Sequence, residues 1–342
     1  MSKKVSKAIS YIVFLLIGIA LLWFSFRNID LSQLMTDIKG ARYSWMLASL
    51  ACLAISLFFR ALRWNLQIKA LGFKPKAFTT FGAVLIAYLA NCIFPRLGEV
   101  VRCSVLKRKD GIPFDKSFGS VISERIIDLL VLFILAFLVI ALQWKLLGRL
   151  ITSWFVPLFE KITSNIWQGV ILIAILLAMI LTIIVLCKRS KKIMSIWNGF
   201  LEGLKSIVTM KDKWRYIIYT IGVWGFYIVM TWLPFYMLDD TCILGFVEAV
   251  TLLGLATMGV VAPVPGGIGT YHFITITLLG GFYGITEQSA GSFAAINHGS
   301  QMLFYLVTGI IAYCVMFIFN KKNLNNKSYN ESSRKNTKQD TE

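Results

Sequence analysis

Six runs of almost wholly apolar residues, at 8–26, 43–59, 126–142, 169–187, 217–238 and 292–319, decide what kind of fold this chain can adopt. Each is about the length a helix needs to cross a hydrocarbon layer of roughly 30 Å. Within that layer every backbone polar group must be satisfied inside the chain, which leaves helices and closed barrels. None of the runs alternates as a lipid-facing barrel strand does, so the spans read as helices. Three weaker runs, 79–95, 243–261 and 268–283, bring the hydrophobic segments to eight or more. The predicted fold is an all-α polytopic membrane bundle. At 57% hydrophobic residues and a mean hydropathy of +0.71, the chain has too little polar surface for a soluble globule.

Charge then orients the bundle. Lys and Arg number five in 60–76, six in 96–116 and eight in 188–215, and the positive-inside bias puts all three segments in the cytoplasm. Only the run 79–95 separates the first two, so it is expected to enter and leave on the cytoplasmic side. A basic tail after Lys321 leaves room for one crossing beyond Asp239 and Asp240. The runs 243–261 and 268–283 are therefore expected to form a second re-entrant hairpin from outside, although two full crossings for each weak pair satisfy the same count. The expectation is six full spans plus two re-entrant or broken elements, arranged as an inverted repeat about a central substrate site. Residues 1–319 form the transmembrane domain. Residues 320–342 read as a polar, basic, disordered cytoplasmic tail, and both termini lie inside a multi-pass plasma (inner) membrane protein. Lys3, Lys4 and Lys7 imitate a secretory signal, but no small-residue cleavage site follows, so the first helix is retained.

The formal charge of +18 fits anionic headgroups better than nucleic acid, because no basic segment is backed by a soluble fold. Six cysteines without Cys-x-x-Cys spacing and only two histidines give neither a disulfide framework nor a metal site. No Gly-x-x-x-x-Gly-Lys-[Ser/Thr] occurs. No cofactor, metal or catalytic constellation is expected, and the chain reads as a transporter rather than an enzyme.

Function is expected where charge or irregular backbone interrupts the apolar pattern. Arg96, Glu99 and Arg102 directly follow the run 79–95, behind Pro95. A charge at the bilayer centre costs roughly 2.5 to 3.5 kcal/mol, so these residues lie at an interface, in a polar cavity or in pairs. On a helix starting near Pro95 they fall near one face. Either Glu99 pairs one arginine and leaves the other for a phosphodiester, or the trio closes a re-entrant tip. Arg60 follows Phe58 and Phe59 and has to snorkel or face the bundle, whereas Arg63 reads as an interfacial anchor. Glu124 and Asp128, four apart, share a helix face, and Arg125 points about 100° away. The two acids bind a cation, pair with basic residues such as Arg60 or Arg102, or end a solvated helix. Pro263, Pro265, Gly266, Gly267 and Gly269 break the last third, with His272 just beyond and His298, Asn297 and the lone acid Glu248 nearby. That glycine-rich break lets amides approach a headgroup, or else serves close helix packing.

These segments resemble the flippase-like transmembrane domain of lysylphosphatidylglycerol synthases, the multiple peptide resistance factor family, and their standalone relatives. The likeness runs in order through Arg60-Ala-Leu-Arg-Trp64 with Leu71-Gly72, Pro95-Arg-Leu-Gly-Glu99 with Arg102, Glu124-Arg125 with Asp128, and Pro265-Gly-Gly-Ile-Gly269. The resemblance implies movement of a lipid headgroup between leaflets, here by the membrane part without a soluble synthase domain. The implied substrate-binding residues are Arg60, Arg96, Glu99, Arg102, Glu124, Arg125, Asp128, Pro265, Gly266, Gly267, Gly269 and His272. Where the family pattern usually has Glu, three residues after the last glycine, this chain has His272, which points to a lipid without an added lysyl amine. Expected partners are an anionic or zwitterionic membrane lipid, a separately encoded lipid-modifying enzyme and a second copy of the chain. A headgroup transferase and a non-transporting scaffold are the rival readings.

Overall fold

The structure, a computed structural model, describes residues 3–145, 210–261 and 264–319 and a few positions between 148 and 177. Most of the expected span 169–187 and of the basic segment 188–215, together with Pro263 and the tail 320–342, lie outside the described residues. Helices α1 (Lys3–Phe26), α2 (Leu31–Gly40), α3 (Tyr43–Ala70), α4 (Ala77–Ile93), α5 (Leu97–Asp110) and α6 (Phe114–Leu142) come first. After the gap follow α7 (Lys213–Trp232), α8 (Phe246–Val261), α9 (Thr270–Tyr283) and α10 (Glu287–Tyr313). The described residues contain no strand, and the fold is an all-α membrane bundle. Four described helical stretches are long and apolar enough to cross a membrane: Tyr43–Ala70, Phe114–Leu142, Lys213–Met237 and Glu287–Ile318. The first apolar run forms α1, which turns by 87° into the short helix α2.

The two weak regions fold as hairpins. Lys76 N–H donates to Asp110 Oδ2 at 3.0 Å and Thr79 Oγ1 to Asp110 Oδ1 at 3.1 Å. The start of α4 is thereby tied to the end of α5, so both limbs open on one face. The segment 96–116, expected as a loop, thus supplies a second limb over 97–110. Its polar residues can sit at depth because α4 and α6 cover them. Gln143 Nε2, at the far end of α6, donates to Glu248 Oε1 at 3.5 Å and to Tyr283 Oη at 3.2 Å. This ties the start of α8 to the end of α9. A helix of 29 residues rises about 43 Å, so α6 separates the two mouths by a membrane's thickness and the hairpins open on opposite faces.

The two tips share a backbone design. An extended residue, Phe94 or Val264, precedes a proline, which disfavours helix in its predecessor. A left-handed residue follows, Arg96 at φ 64° or Gly266 at φ 59°. Arg96 is the one non-glycine residue with positive φ among the described residues, a conformation that costs energy for an L side chain. Each hairpin lies between a preceding and a following span, α3 and α6 in the first unit and α7 and α10 in the second. The units are inverted, because α3 and α7 run in opposite directions: Arg42 N–H meets Met237 O at 3.0 Å, and Gln67 Nε2 meets Tyr216 Oη at 3.1 Å. Buried serines knit α3 to α7, Ser49 to Met230 O at 2.7 Å and Ser56 to Val223 O at 2.9 Å, which satisfies polar groups that lipid would not. Near the middle of α10, Met302 lies beside Cys92 at the end of α4 and beside Gly266. The tips therefore meet within the bundle.

Candidate functional site

The inner end of α3 carries two arginines one turn apart, so both face the bundle. α6 presents Glu124 and Asp128 opposite them, and α5 presents Arg102. Arg63 Nη2 donates to Asp128 Oδ1 at 2.7 Å and lies 3.3 Å from Glu124 Oε1. Arg60 Nη2 donates to Asp128 Oδ2 at 3.1 Å, with its Nε 3.7 Å from Glu124. Arg102 Nη1 donates to Glu124 Oε2 at 2.8 Å and its guanidinium lies 4.6 Å over the Trp64 ring. Trp64 is held in turn by Ser120 Oγ at 2.9 Å. All five charged side chains are buried, Arg63 and Glu124 completely.

Three guanidiniums face two carboxylates, so the buried lattice carries one positive charge in excess. Its donors are in excess too. Arg60 Nε, Arg63 Nε, Arg63 Nη1 and Arg102 Nη2 are buried with no hydrogen-bond partner in the protein, against one orphaned acceptor in the lattice, Glu124 Oε1, 3.7 Å from Arg60 Nε. Buried donors are ordinarily paired, and an unpaired one costs more when its group is charged. Planar guanidiniums with free forks suit a bidentate oxyanion. Arg60 also lies 5.9 Å from the Tyr88 ring and 6.0 Å from that of Tyr227. Their hydroxyls are 2.9 Å apart, and Tyr305 stacks on Tyr88 at 4.8 Å. This aromatic wall leads from the lattice along α10 toward Met302.

Several sequence expectations are corrected. Helix α5 begins at Leu97, close to Pro95 as expected, with Arg96 as its cap, but the pairing within it differs. Glu99 pairs with Arg125 at 3.1 Å, and Arg102 is engaged by Glu124. Arg125 does not point away. Its length lets it bridge Glu99 to Asp128, at 3.5 Å, from a side chain that stays 45% exposed. Arg63, read as an anchor, is the most enclosed of the arginines. The signal was present in its spacing of three from Arg60, which puts both on one face. The tyrosines carried no such signal, because one aromatic among many in an apolar helix does not announce its direction.

The second break builds a different neighbourhood. Pro265, Gly266 and Gly267 form a single tight turn, and Gly269 caps α9. A Cβ on Gly269, at φ 85°, would fall within the backbone of Gly18 on α1, so only glycine fits there. His272 Nδ1 accepts from Gly269 N–H at 3.4 Å, and His298 Nε2 meets Gly266 O at 3.0 Å. Asn297 Nδ2 donates to Tyr271 Oη at 2.6 Å and Gln301 Nε2 to Asn297 Oδ1 at 3.1 Å. Glu248 sits instead at the open end of its hairpin, where its Oε2 accepts from Gly245 N–H at 2.9 Å. It does not stand in for an acid at 272.

The family model described as the lysylphosphatidylglycerol synthase TM region matches residues 11–309. The UPF0104 membrane protein MJ1595 of Methanocaldococcus jannaschii is 26% identical over 294 residues, covering 81% of this chain and 85% of that protein. Glycosyltransferase AglD of Haloferax volcanii is 28% identical over 128 residues, 37% of this chain and 20% of that protein, so this chain spans a small part of that relative's length. No solved structure matches significantly.

Proposed function

The chain belongs to the family of the lysylphosphatidylglycerol synthase transmembrane region, and from that premise we propose that it carries a phosphate-bearing lipid headgroup between leaflets. The observation that carries the reading is the buried excess of positive charge and unpartnered guanidinium donors around Arg60, Arg63 and Arg102. A structural lattice alone needs neither, since a third acid would neutralise it, whereas a phosphodiester brings one negative charge and two free oxygens. Two hairpins opening on opposite faces give the headgroup access from each leaflet in turn. The likeness to a protein named for glycosyl transfer makes a glycosylated carrier lipid a cargo to test beside phosphoglycerides.

The face bearing the mouth of α4 and α5 carries Lys69, Lys74, Lys76 and Lys116, and the opposite face carries Asp30, Asp37, Asp239 and Asp240. The positive-inside rule puts the first in the cytoplasm of a plasma-membrane protein. In a cysteine-free background, Lys107→Cys is expected to be shielded from an impermeant thiol reagent added outside cells, and Asp239→Cys to react. The reverse pattern would invert the orientation.

Transport itself is tested with Arg102→Lys. The ammonium keeps the charge and its bond to Glu124, but loses the fork and the stacking on Trp64. In proteoliposomes loaded with labelled phosphatidylglycerol or a glycosyl-phosphoprenol, flipping should fall at least about tenfold, the worth of one charge-assisted hydrogen bond at roughly 1.4 kcal/mol. Undiminished flipping, or equal flipping of phosphate-free diacylglycerol, would remove the phosphate site from the reading.

A further inference from the structure

The inverted units correspond more closely than their sequences suggest. Glu124, Arg125 and Asp128 are the eleventh, twelfth and fifteenth residues of α6, and Asn297, His298 and Gln301 occupy the same places in α10. Glu99 and His272 are each the third residue of their hairpin's returning limb. In the first unit the matched pair holds hairpin to span by an ion pair, Arg125 Nη2 to Glu99 Oε1 at 3.1 Å. In the second unit the same two places bring two imidazoles together, with ring centroids 4.9 Å apart and planes at 78°.

We infer that His272 and His298 form a proton-binding latch, which holds the second hairpin on α10 when neutral and releases it when protonated. Its counterpart in the first unit is the Glu99–Arg125 ion pair, which contains no imidazole, so the latch belongs to the second hairpin. The latch rests on the reading that the hairpins gate a pathway, but not on any particular cargo.

The chemistry follows from the contacts. His272 Nδ1 can accept from Gly269 N–H only while it carries no proton, and protonation there sets donor against donor at the base of the tip. A second proton on His298 would put two cations about 5 Å apart in a medium that screens them poorly. Separation of α9 from α10 relieves the second conflict and gives the His272 ring room to turn away from the Gly269 N–H, its neighbour in the same limb. Nothing nearby offers an alternative. From α1 the facing group is Phe26, 5.4 Å from His272, and from α9 itself Tyr271, stacked on His298 at 4.9 Å. The tip gives the Gly266 carbonyl, and α10 gives Asn297 and Gln301, bonded to each other. On α4 the nearest titratable group is Cys92, in contact with Met302, and the acid of α8, Glu248, lies at the hairpin's far end. Among the described residues, no carboxylate bears on either imidazole.

The sign is fixed by linkage: the open form binds more protons, so the closed form is favoured above the imidazole range and lost below it. For one histidine with an ordinary value of about 6.5 when released, the open fraction relative to closed rises about 30-fold from pH 7.5 to pH 5.0. The chain has only two histidines, so histidine-labelled protein in nanodiscs, purified without a polyhistidine tag, gives two imidazole signals to titrate by nitrogen NMR. In parallel, spin labels at Ile268→Cys on the tip and Leu303→Cys on α10, both exposed sites in an otherwise cysteine-free chain, report the tip distance. Expected are protonation of the pair and a longer distance emerging together between pH 7 and 5. The distance change should vanish in His272→Gln with His298→Gln and persist in Glu99→Gln. Imidazoles that stay neutral to pH 4.5, protonation without a distance change, or a distance change that survives the double substitution would each overturn the latch. None of these readouts involves lipid movement, so they stand apart from the Arg102→Lys result.

Discussion

Glu124→Ala is expected to be strongly destabilising. Glu124 is the acid that Arg60, Arg63 and Arg102 share, and its removal raises the buried excess from one positive charge to two. Removing one partner of a buried ion pair typically costs roughly 3–5 kcal/mol, because the desolvation of the survivors is no longer offset. That compares with a total stability of about 5–15 kcal/mol and corresponds to a shift in melting midpoint of roughly 4–7 °C for a chain of this size. The measurement is the fraction of detergent-solubilised protein that stays monodisperse after heating. Adding Arg102→Met to Glu124→Ala restores the original excess and should recover much of the loss. Glu99→Ala breaks a pair whose arginine is 45% exposed, and should cost no more than about 1 kcal/mol. If Glu124→Ala melts like the parent protein, the lattice is hydrated and its excess charge is an ordinary surface property.

The sequence makes the class of fold legible, because span length is imposed by the bilayer and not by packing. Pro95 and Pro265 mark the tips for a local reason, since a proline holds the residue before it extended. The partnership of Glu124 with Arg60 and Arg102 is also within reach, as charges in an apolar setting must find each other. What the sequence hides is direction. Arg125 stands about 100° from Glu124 on the helix, yet it is three residues before Asp128 and its long side chain reaches that carboxylate. Arg63 looks like an anchor until α6 is seen to cover it. The correspondence of Glu99 with His272 has no residue identity to reveal it, and appears only when both returning limbs are counted from their first turns.

Those limbs also predict where the two units should differ in tolerance, and Gly269→Ala is the sharpest case. At φ 85° a side chain is strained in any surroundings, by roughly 1–2 kcal/mol for the left-handed backbone alone. Here the added carbon would also occupy the space of the Gly18 carbonyl on α1, a backbone atom with no rotamer to escape through. Relief requires α1 to move off α9, which exposes the packing of Phe26 on His272. Gly98→Ala meets a comparable obstacle from the Ala87 carbonyl, but within its own hairpin, so the strain falls between α4 and α5 rather than on α1. Gly269→Ala should therefore cost more than Gly98→Ala and loosen α1 specifically. Proteolysis between α1 and α3 in mixed micelles, at Arg27 or Lys39, should speed up in Gly269→Ala and not in Gly98→Ala. Equal rates in the two variants would mean that α1 is held by lipid rather than by the glycine contact.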